Sequence, residues 1–271
     1  MTKLFNIILV LLLFSTHLSA QFKITSVIPS FYFTTGDYSN NNSSFSYTGY
    51  VSLGFNDSDF FNAGLDFLTI DDQSVEYNQT ALYMGWVKNI DVFRFKINYA
   101  QIDGTYDDNS VDYKYSDYLK IYNIGFAYNY NQFVFGAVFS YMNMIGNQSL
   151  NGRQYEFSAS WLPSDFMSIS VNPVFINLND SRKLYSIGGD LTYKLTDKLK
   201  ININGFIGER AYYFNSDLLW INKREETQKY LTEIKAEYII AKTIVITASA
   251  QKTKFGNYHI TYLSGGGKVF L

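Results

Sequence analysis

Cysteine is absent from this 271-residue chain, and proline (3), histidine (2) and tryptophan (3) are scarce. The lack of cysteine excludes a disulfide framework and a lipid-modified cysteine behind a leader peptide. After residue 21 no apolar run approaches the roughly 20 residues of a membrane-spanning helix, so a membrane could be crossed only by strands.

The first 20 residues are typical of a cleavable signal peptide. Lys3 supplies the positive start, Leu4–Phe14 is almost entirely apolar, and Ser15–Ala20 is a short polar segment that ends on a small residue. We therefore predict a signal peptide over 1–20 and a single exported domain over 21–271. Without the leader the chain has 21 basic and 24 acidic residues, a net charge of −3, which argues against a nucleic-acid partner.

Short stretches of alternating apolar and polar residues fill the exported domain. In Phe45–Phe55, for example, Phe45 and Tyr47 share one face while Ser46 and Thr48 share the other. This period of two predicts strands with two chemically different sides. Fourteen strands are predicted: 23–35, 44–55, 59–70, 76–87, 91–103, 118–129, 132–144, 153–162, 165–177, 184–195, 198–208, 229–240, 243–253 and 258–271.

The connections between these strands alternate between tight turns and longer loops rich in Asn, Asp and Ser. That alternation is typical of outer-membrane barrels, and an even strand count puts both termini on the periplasmic side. A soluble β-sandwich also alternates, but aromatic residues at strand ends and an apolar terminal strand favour a barrel. The predicted fold is all-β, a single closed antiparallel transmembrane β-barrel of about 14 strands, with 12 or 16 as alternatives.

The signal peptide, the hairpin series, the aromatic strand ends and the final residues Phe270–Leu271 resemble bacterial outer-membrane β-barrel proteins over the whole mature chain. The resemblance implies a porin-like transport class and a place in the outer membrane of a Gram-negative bacterium. Its implied partners are outer-membrane lipid and the barrel-assembly machinery, which recognises the last strand. Family members commonly end on an aromatic residue, whereas here Phe270 is penultimate. No motif identifies a subfamily.

Polar and charged residues on the inward face are the predicted lumen lining. Bases and acids are equal in number, which predicts a lumen with weak ion selectivity, and Lys200 is expected close to Glu237. The predicted lining residues are Arg94, Lys96, Lys194, Lys200 and Lys235, then Asp66, Glu156, Asp190, Glu233 and Glu237, and finally Asn98 and Asn202.

His259 is the single histidine left after the leader and is the candidate for catalysis. A Ser–His hydrolase acting on lipid is one interpretation; a polar residue at the outer rim is the other, and no spacing motif supports catalysis. One histidine without cysteine cannot supply the usual zinc ligands. No metal and no cofactor is predicted.

Structural predictions follow for two further segments, residues 209–228 and Gly265–Gly267. Residues 209–228 form the longest loop and are unusually apolar; they could extend the hairpin, fold into the mouth as a constriction, or bind a partner, and extension is expected. Gly265–Gly267 predicts a flexible or bulged strand where the barrel closes against residues 23–35.

The favoured function is a passive channel or transporter for small solutes. The alternatives are a structural or adhesion-type barrel with a plugged lumen that displays its loops, and a lipid-modifying enzyme that uses His259. Barrels of about eight strands are filled by side chains and those of about sixteen leave an aqueous channel, so fourteen lies between these cases.

Overall fold

The structure is a computed structural model that describes residues 23–56, 58–72, 75–108, 113–146, 149–215, 220–222 and 226–271. In these residues fourteen antiparallel strands close into one barrel, and two short strands form a separate hairpin. In chain order the strands are β1 (Ile24–Tyr38), β2 (Ser43–Phe55), β3 (Asp59–Asp72), β4 (Val75–Ile90), β5 (Phe93–Asp108), β6 (Tyr113–Tyr130), β7 (Phe133–Ile145), β8 (Leu150–Ser164), β9 (Met167–Leu178), β10 (Lys183–Lys194), β11 (Leu199–Arg210), β12 (Tyr213–Asn215), β13 (Trp220–Asn222), β14 (Gln228–Ala241), β15 (Ile244–Lys254) and β16 (His259–Val269).

The all-β class, the closed barrel and the count of fourteen barrel strands are confirmed. Each predicted strand coincides with one strand of the barrel, while β12 and β13 lie within the predicted 209–228 loop. The predicted signal peptide lies outside the described residues. Among the described residues there is no helix whose length and apolar character would let it span a bilayer.

The largest difference in strand bounds is at the β5–β6 hairpin, which continues to Asp108 and restarts at Tyr113. The rings of Tyr106 and Tyr115 lie 5.2 Å apart across this extension, and Lys114 pairs with Asp107 at 2.7 Å. Cross-strand pairs of this kind stabilise a hairpin beyond the membrane. The predicted strands end at 103 and restart at 118 because residues between them are polar on both faces and lack the alternation that marks a strand.

The barrel has two distinct ends. Short turns, the first described residue Lys23 and the last residue Leu271 lie at one end, here named the turn end, and the longer connections lie at the other, named the loop end. At the turn end Asn56, Asp91 and Asn131 adopt positive φ angles of 49°, 51° and 53°. Asn and Asp tolerate this left-handed conformation better than other non-glycine residues, which is why they form these tight turns.

The barrel closes where β1 pairs with β16 along Ser30–Tyr38. Gly265–Gly267 pairs with both neighbouring strands without a register shift, so the predicted bulge is wrong, although the predicted seam is in place. A Cβ atom on Gly266 would collide with the Phe31 carbonyl and the Tyr32 ring. Glycine is needed at this position because Tyr32 lies directly against the backbone.

Apolar side chains cover the outside of the barrel, and most polar strand residues face the inside, where an apolar cluster also lies. Phe95, Ile124 and Phe157 are exposed on the outer face at 44%, 58% and 57%, whereas Asn98 and Ser140 on the inner face are buried. In a β-sandwich the apolar face would be covered by a second sheet. The closed sheet with an exposed apolar face is what a lipid-facing barrel requires.

Candidate functional site: the lumen and its plug

A short segment after β11 folds back into the lumen at the loop end. Ala211–Phe214, here named the plug, is buried, with exposed fractions from 0% to 6%. It packs against apolar side chains that β4 to β10 point inward, among them Ile102, Leu119, Met142 and Ile176. The expected extension of the hairpin is therefore wrong, and the alternative of a constriction is the one found. Burial of aromatic rings against this wall stabilises the inward fold.

The side chain of Gln154 binds the main chain of the plug with two hydrogen bonds, as a neighbouring β-strand would. The Phe214 amide donates to Gln154 Oε1 at 3.0 Å, and Gln154 Nε2 donates to the Phe214 carbonyl oxygen at 2.8 Å. The Tyr213 hydroxyl donates to Glu156 Oε2 at 3.3 Å. Gln154 is itself fully buried, so these bonds satisfy groups that would otherwise be unpaired inside the barrel.

Arg210 anchors the base of the plug. Its Nε donates to Ser186 Oγ at 2.7 Å, and its guanidinium carbon lies 3.9 Å from the centre of the Phe206 ring and 4.2 Å from that of Tyr213. A guanidinium between two aromatic faces is a favourable cation–π arrangement. Tyr212 has a positive φ of 52°, an uncommon conformation for a bulky residue that the packed surroundings maintain.

A cavity of about 1010 Å³ lies beside the plug. Its wall combines residues of β1 to β4, β6 to β11 and β14 to β16 with the plug residues Tyr212 and Tyr213. Six of the predicted lumen residues lie on this wall: Asp66, Glu156, Asp190, Asn202, Glu233 and Lys235. The sequence pattern alone did not indicate that one compartment would bring them together.

Three cavity carboxylates accept hydrogen bonds from neutral donors. In the described part of the chain none of the three forms an ion pair with a basic side chain, although Arg182, Arg210 and Lys235 line the same cavity. The pairs are Thr48 Oγ1 to Asp66 Oδ1 (2.5 Å), Asn202 Nδ2 to Asp190 Oδ2 (2.5 Å) and Asn204 Nδ2 to Glu233 Oε2 (2.8 Å).

Most of the predicted bases lie elsewhere. Arg94, Lys96, Lys194 and Lys200 are all within four residues of a strand end at the turn end. Lys194 pairs with Asp197 of the adjacent turn at 2.9 Å. The prediction of weak selectivity assumed that the five bases and five acids are evenly mixed, and they are not. Four of the bases lie near the turn end with Glu237, whereas Lys235 lines the cavity with the other four acids.

Glu237 joins three strands at the turn end. Its Oε2 lies 3.0 Å from Lys200 Nζ, as expected from the strand register, and its Oε1 lies 3.0 Å from Lys268 Nζ on the closing strand. Lys268 was not among the predicted lumen residues. The alternation along β16 could have identified it, because Lys268 is an even number of residues from Tyr262 and Ser264 and so shares their face. Tyr262 and Ser264 line the cavity.

Glu237→Gln is expected to lower the free energy of unfolding by about 1–3 kcal/mol, because two ammonium groups then lose a charged acceptor at a largely buried position. Glu209→Gln is the matched control, since Glu209 pairs with Lys229 at an exposed site and such pairs contribute at most about 1 kcal/mol. Urea unfolding midpoints of the refolded barrels measure the difference. Equal midpoints for both variants would contradict a stabilising role for the Glu237 bridge.

The comparisons with known proteins agree with this geometry at the level of the fold. No family model and no curated protein matches the sequence. Among solved structures, the CymD monoaromatic hydrocarbon channel superposes with a TM-score of 0.63 at 6% identity, covering 93% of this chain and 89% of that one. A Pseudomonas aeruginosa FadL homologue gives 0.57 at 7% identity, covering 90% and 89%. The Pseudomonas putida toluene transporter TodX gives 0.55 at 8% identity, covering 92% and 88%.

The fold is that of bacterial outer-membrane β-barrel transporters. At these identities the similarity concerns the path of the chain alone, and no role of a residue transfers from it. What this barrel does must therefore be derived from its own lumen.

The two remaining predicted residues lie away from the cavity wall. Asn98 is buried and donates to Asn123 Oδ1 at 2.9 Å, and Asn123 donates to Ser140 Oγ at 2.8 Å. His259 begins β16 at the loop end, where its amide donates to Ser39 Oγ at 3.1 Å. In the described part of the chain its imidazole makes no hydrogen bond or ion pair.

A charged pair borders the plug at the loop end. Arg182 lies 2.5 Å from Asp180 and 5.9 Å from the centre of the Tyr212 ring. Partial burial raises the pKa of Asp180, but hydrogen bonds from Arg182 outweigh it and bring that pKa below its usual value. The pair therefore persists into acid conditions. No group of His, Cys, Asp and Glu within the described residues is arranged to hold a metal ion.

Proposed function

We propose that this chain is a transporter of the bacterial outer membrane that admits small solutes through its lumen, with the plug narrowing the path at the loop end. The observation that carries the proposal is the cavity of about 1010 Å³ on the polar side of the plug. A lumen filled by side chains, as in small barrels, would leave no such volume.

Two further observations support this function. The solved structures of similar fold include a monoaromatic hydrocarbon channel and a toluene transporter, which favours transport over enzymatic or purely structural roles. The exposed apolar outer face suits contact with outer-membrane lipid. The C-terminal strand β16 is the segment that the barrel-assembly machinery would recognise, although the chain ends on Leu271 rather than an aromatic residue.

The plug also favours a second candidate, a plugged barrel that displays its loops. Phe214 is fully buried and Gln154 satisfies both of its main-chain polar groups. A segment fixed in this way would close the lumen if it never moved. The lipid-modifying enzyme gains no comparable support, because the contacts of His259 are those of a strand residue.

Conductance separates the two candidates. Refolded residues 21–271 are expected to conduct in planar bilayers, and replacing residues 211–215 with a flexible Gly–Ser segment of equal length is expected to raise the conductance, because the plug no longer occupies the lumen. Heat-dependent gel mobility checks that both proteins are folded barrels.

Two outcomes would overturn the transporter. If neither folded protein conducts, the display-type barrel is the better description. If only the variant conducts, and no solute enters vesicles through the unmodified protein, the plug is a permanent closure and transport is excluded.

A further inference from the structure

One carboxylate on the cavity wall lies beside a row of three tyrosines. The ring centres of Tyr32 and Tyr50 are 6.3 Å apart, as are those of Tyr50 and Tyr83. All three line the cavity together with Asp66 and Thr48. Aromatic faces carry partial negative charge, so rings around a carboxylate form a surface suited to a cation.

The strand register explains how this cluster forms. Gly64 on β3 pairs with Tyr50 on one side and Tyr83 on the other. A Cβ atom on Gly64 would collide with the Tyr50 ring, so the glycine lets that ring lie across β3. Asp66 follows two residues later on the same face, and its diagonal neighbours are within reach of the tyrosine side chains.

Asp66 forms no ion pair with a basic side chain in the described residues. Its single hydrogen-bond donor in the described residues is the Thr48 hydroxyl, at 2.5 Å. Elsewhere on the cavity wall Asp190 and Glu233 are likewise bonded by neutral donors. The cavity wall carries more acids than bases, and an excess of negative charge in a walled cavity raises the local concentration of cations. The acids are Asp66, Asp117, Glu156, Asp180, Asp190 and Glu233, and the bases are Arg182, Arg210 and Lys235.

We propose that the cavity binds a small organic ammonium ion, with Asp66 as its counter-ion and the rings of Tyr32, Tyr50 and Tyr83 around its cationic group. This assignment rests on the proposed function and names its solute class. A divalent metal would instead need about six oxygen ligands, and within the described residues no acidic group offers such a set. An anionic solute would be repelled by Asp66.

Choline and its neutral carbon isostere 3,3-dimethylbutan-1-ol form a matched pair of probes, since they differ chiefly in charge. Titration calorimetry of refolded residues 21–271 in a non-ionic detergent is expected to show binding of choline and at least about tenfold weaker binding of the isostere. Equal affinities for the two probes, or no binding of choline, would refute the ammonium site.

Variants locate the site. Asp66→Asn is expected to weaken choline binding about tenfold, because it removes the counter-ion and keeps the shape. Tyr50→Leu should weaken it more than Tyr50→Phe, which retains the ring. Asp197→Asn is the control for overall charge, because it removes a carboxylate from the turn between β10 and β11, at the turn end of the barrel. If Asp197→Asn weakens choline binding as much as Asp66→Asn does, choline binding depends on the net charge alone and the Asp66 site is wrong.

Solute entry into vesicles distinguishes this inference from the proposed function. If sugars and amino acids enter through the unmodified protein while choline and its isostere bind equally, the ammonium site is wrong and transport stands. If choline binds through Asp66 but no solute enters, the site stands and the transporter is wrong.

Discussion

Arginine at Val171 is expected to lower the free energy of unfolding by about 2–4 kcal/mol, while arginine at the neighbouring Ser170 costs much less. Val171 is 45% exposed on the outer face near the middle of β9, where a guanidinium would enter the lipid hydrocarbon. Ser170 lines the aqueous cavity, where the same group remains hydrated. The two positions share one strand and one depth.

Unfolding in urea of barrels refolded into lipid vesicles measures both costs. Ser170 is a better inner-face control than Asn98, because Asn98 is buried in a hydrogen-bonded row with Asn123 and Ser140, and arginine there would disrupt packing. Equal losses at Val171 and Ser170 would mean that the outer face of β9 does not meet lipid.

Phe214→Ala is expected to release the plug from the lumen without unfolding the barrel. The Phe214 side chain is 0% exposed, and truncating a buried phenylalanine costs about 3–5 kcal/mol. If that loss falls on docking of the plug, the ratio of docked to undocked forms drops by roughly a hundredfold or more. Conductance should rise accordingly.

The absence of cysteine provides a direct probe of this release. Ala211→Cys introduces one thiol at a fully buried position of the plug, and its labelling rate with a water-soluble maleimide reports how often the plug opens. Adding Phe214→Ala should accelerate labelling, whereas adding Phe157→Ala on the lipid-facing side of β8 should not. Acceleration by both changes would indicate loosening of the whole barrel.

Much of the architecture was predictable because a barrel repeats one local rule. Alternation along each strand, with turns such as Asn56 and Asn131 in left-handed conformations, defines the two faces and the hairpin order before any long-range contact is known. The β5–β6 hairpin was underestimated because Tyr106 and Tyr115 stabilise it by pairing across strands. Such pairing is invisible in either strand alone.

The candidate site was predictable only in part. Parity along the strands assigns Asp66, Asp190 and Glu233 to the inner face, and all three line the cavity; register places Lys200 opposite Glu237. The sequence did not reveal that most of the predicted bases lie near the turn end and most of the acids line the cavity, because this depends on the depth of each residue in the barrel. The alternation along a strand shows which charged residues face the lumen, but it does not show their positions along the barrel axis.

The sequence by itself determined the closed barrel. A period of two gives each strand one apolar and one polar side. In lipid the unpaired backbone groups of an edge strand would find no hydrogen-bond partner, so the sheet has to close on itself. Only the tertiary structure decided the contents of the lumen. Ala211–Phe214 has no period that directs it inward, and its docking depends on Gln154 and Ile176 of distant strands. The proposed Asp66 site likewise depends on Gly64, which lets the Tyr50 ring of β2 lie across β3, a contact that the register between the two strands sets.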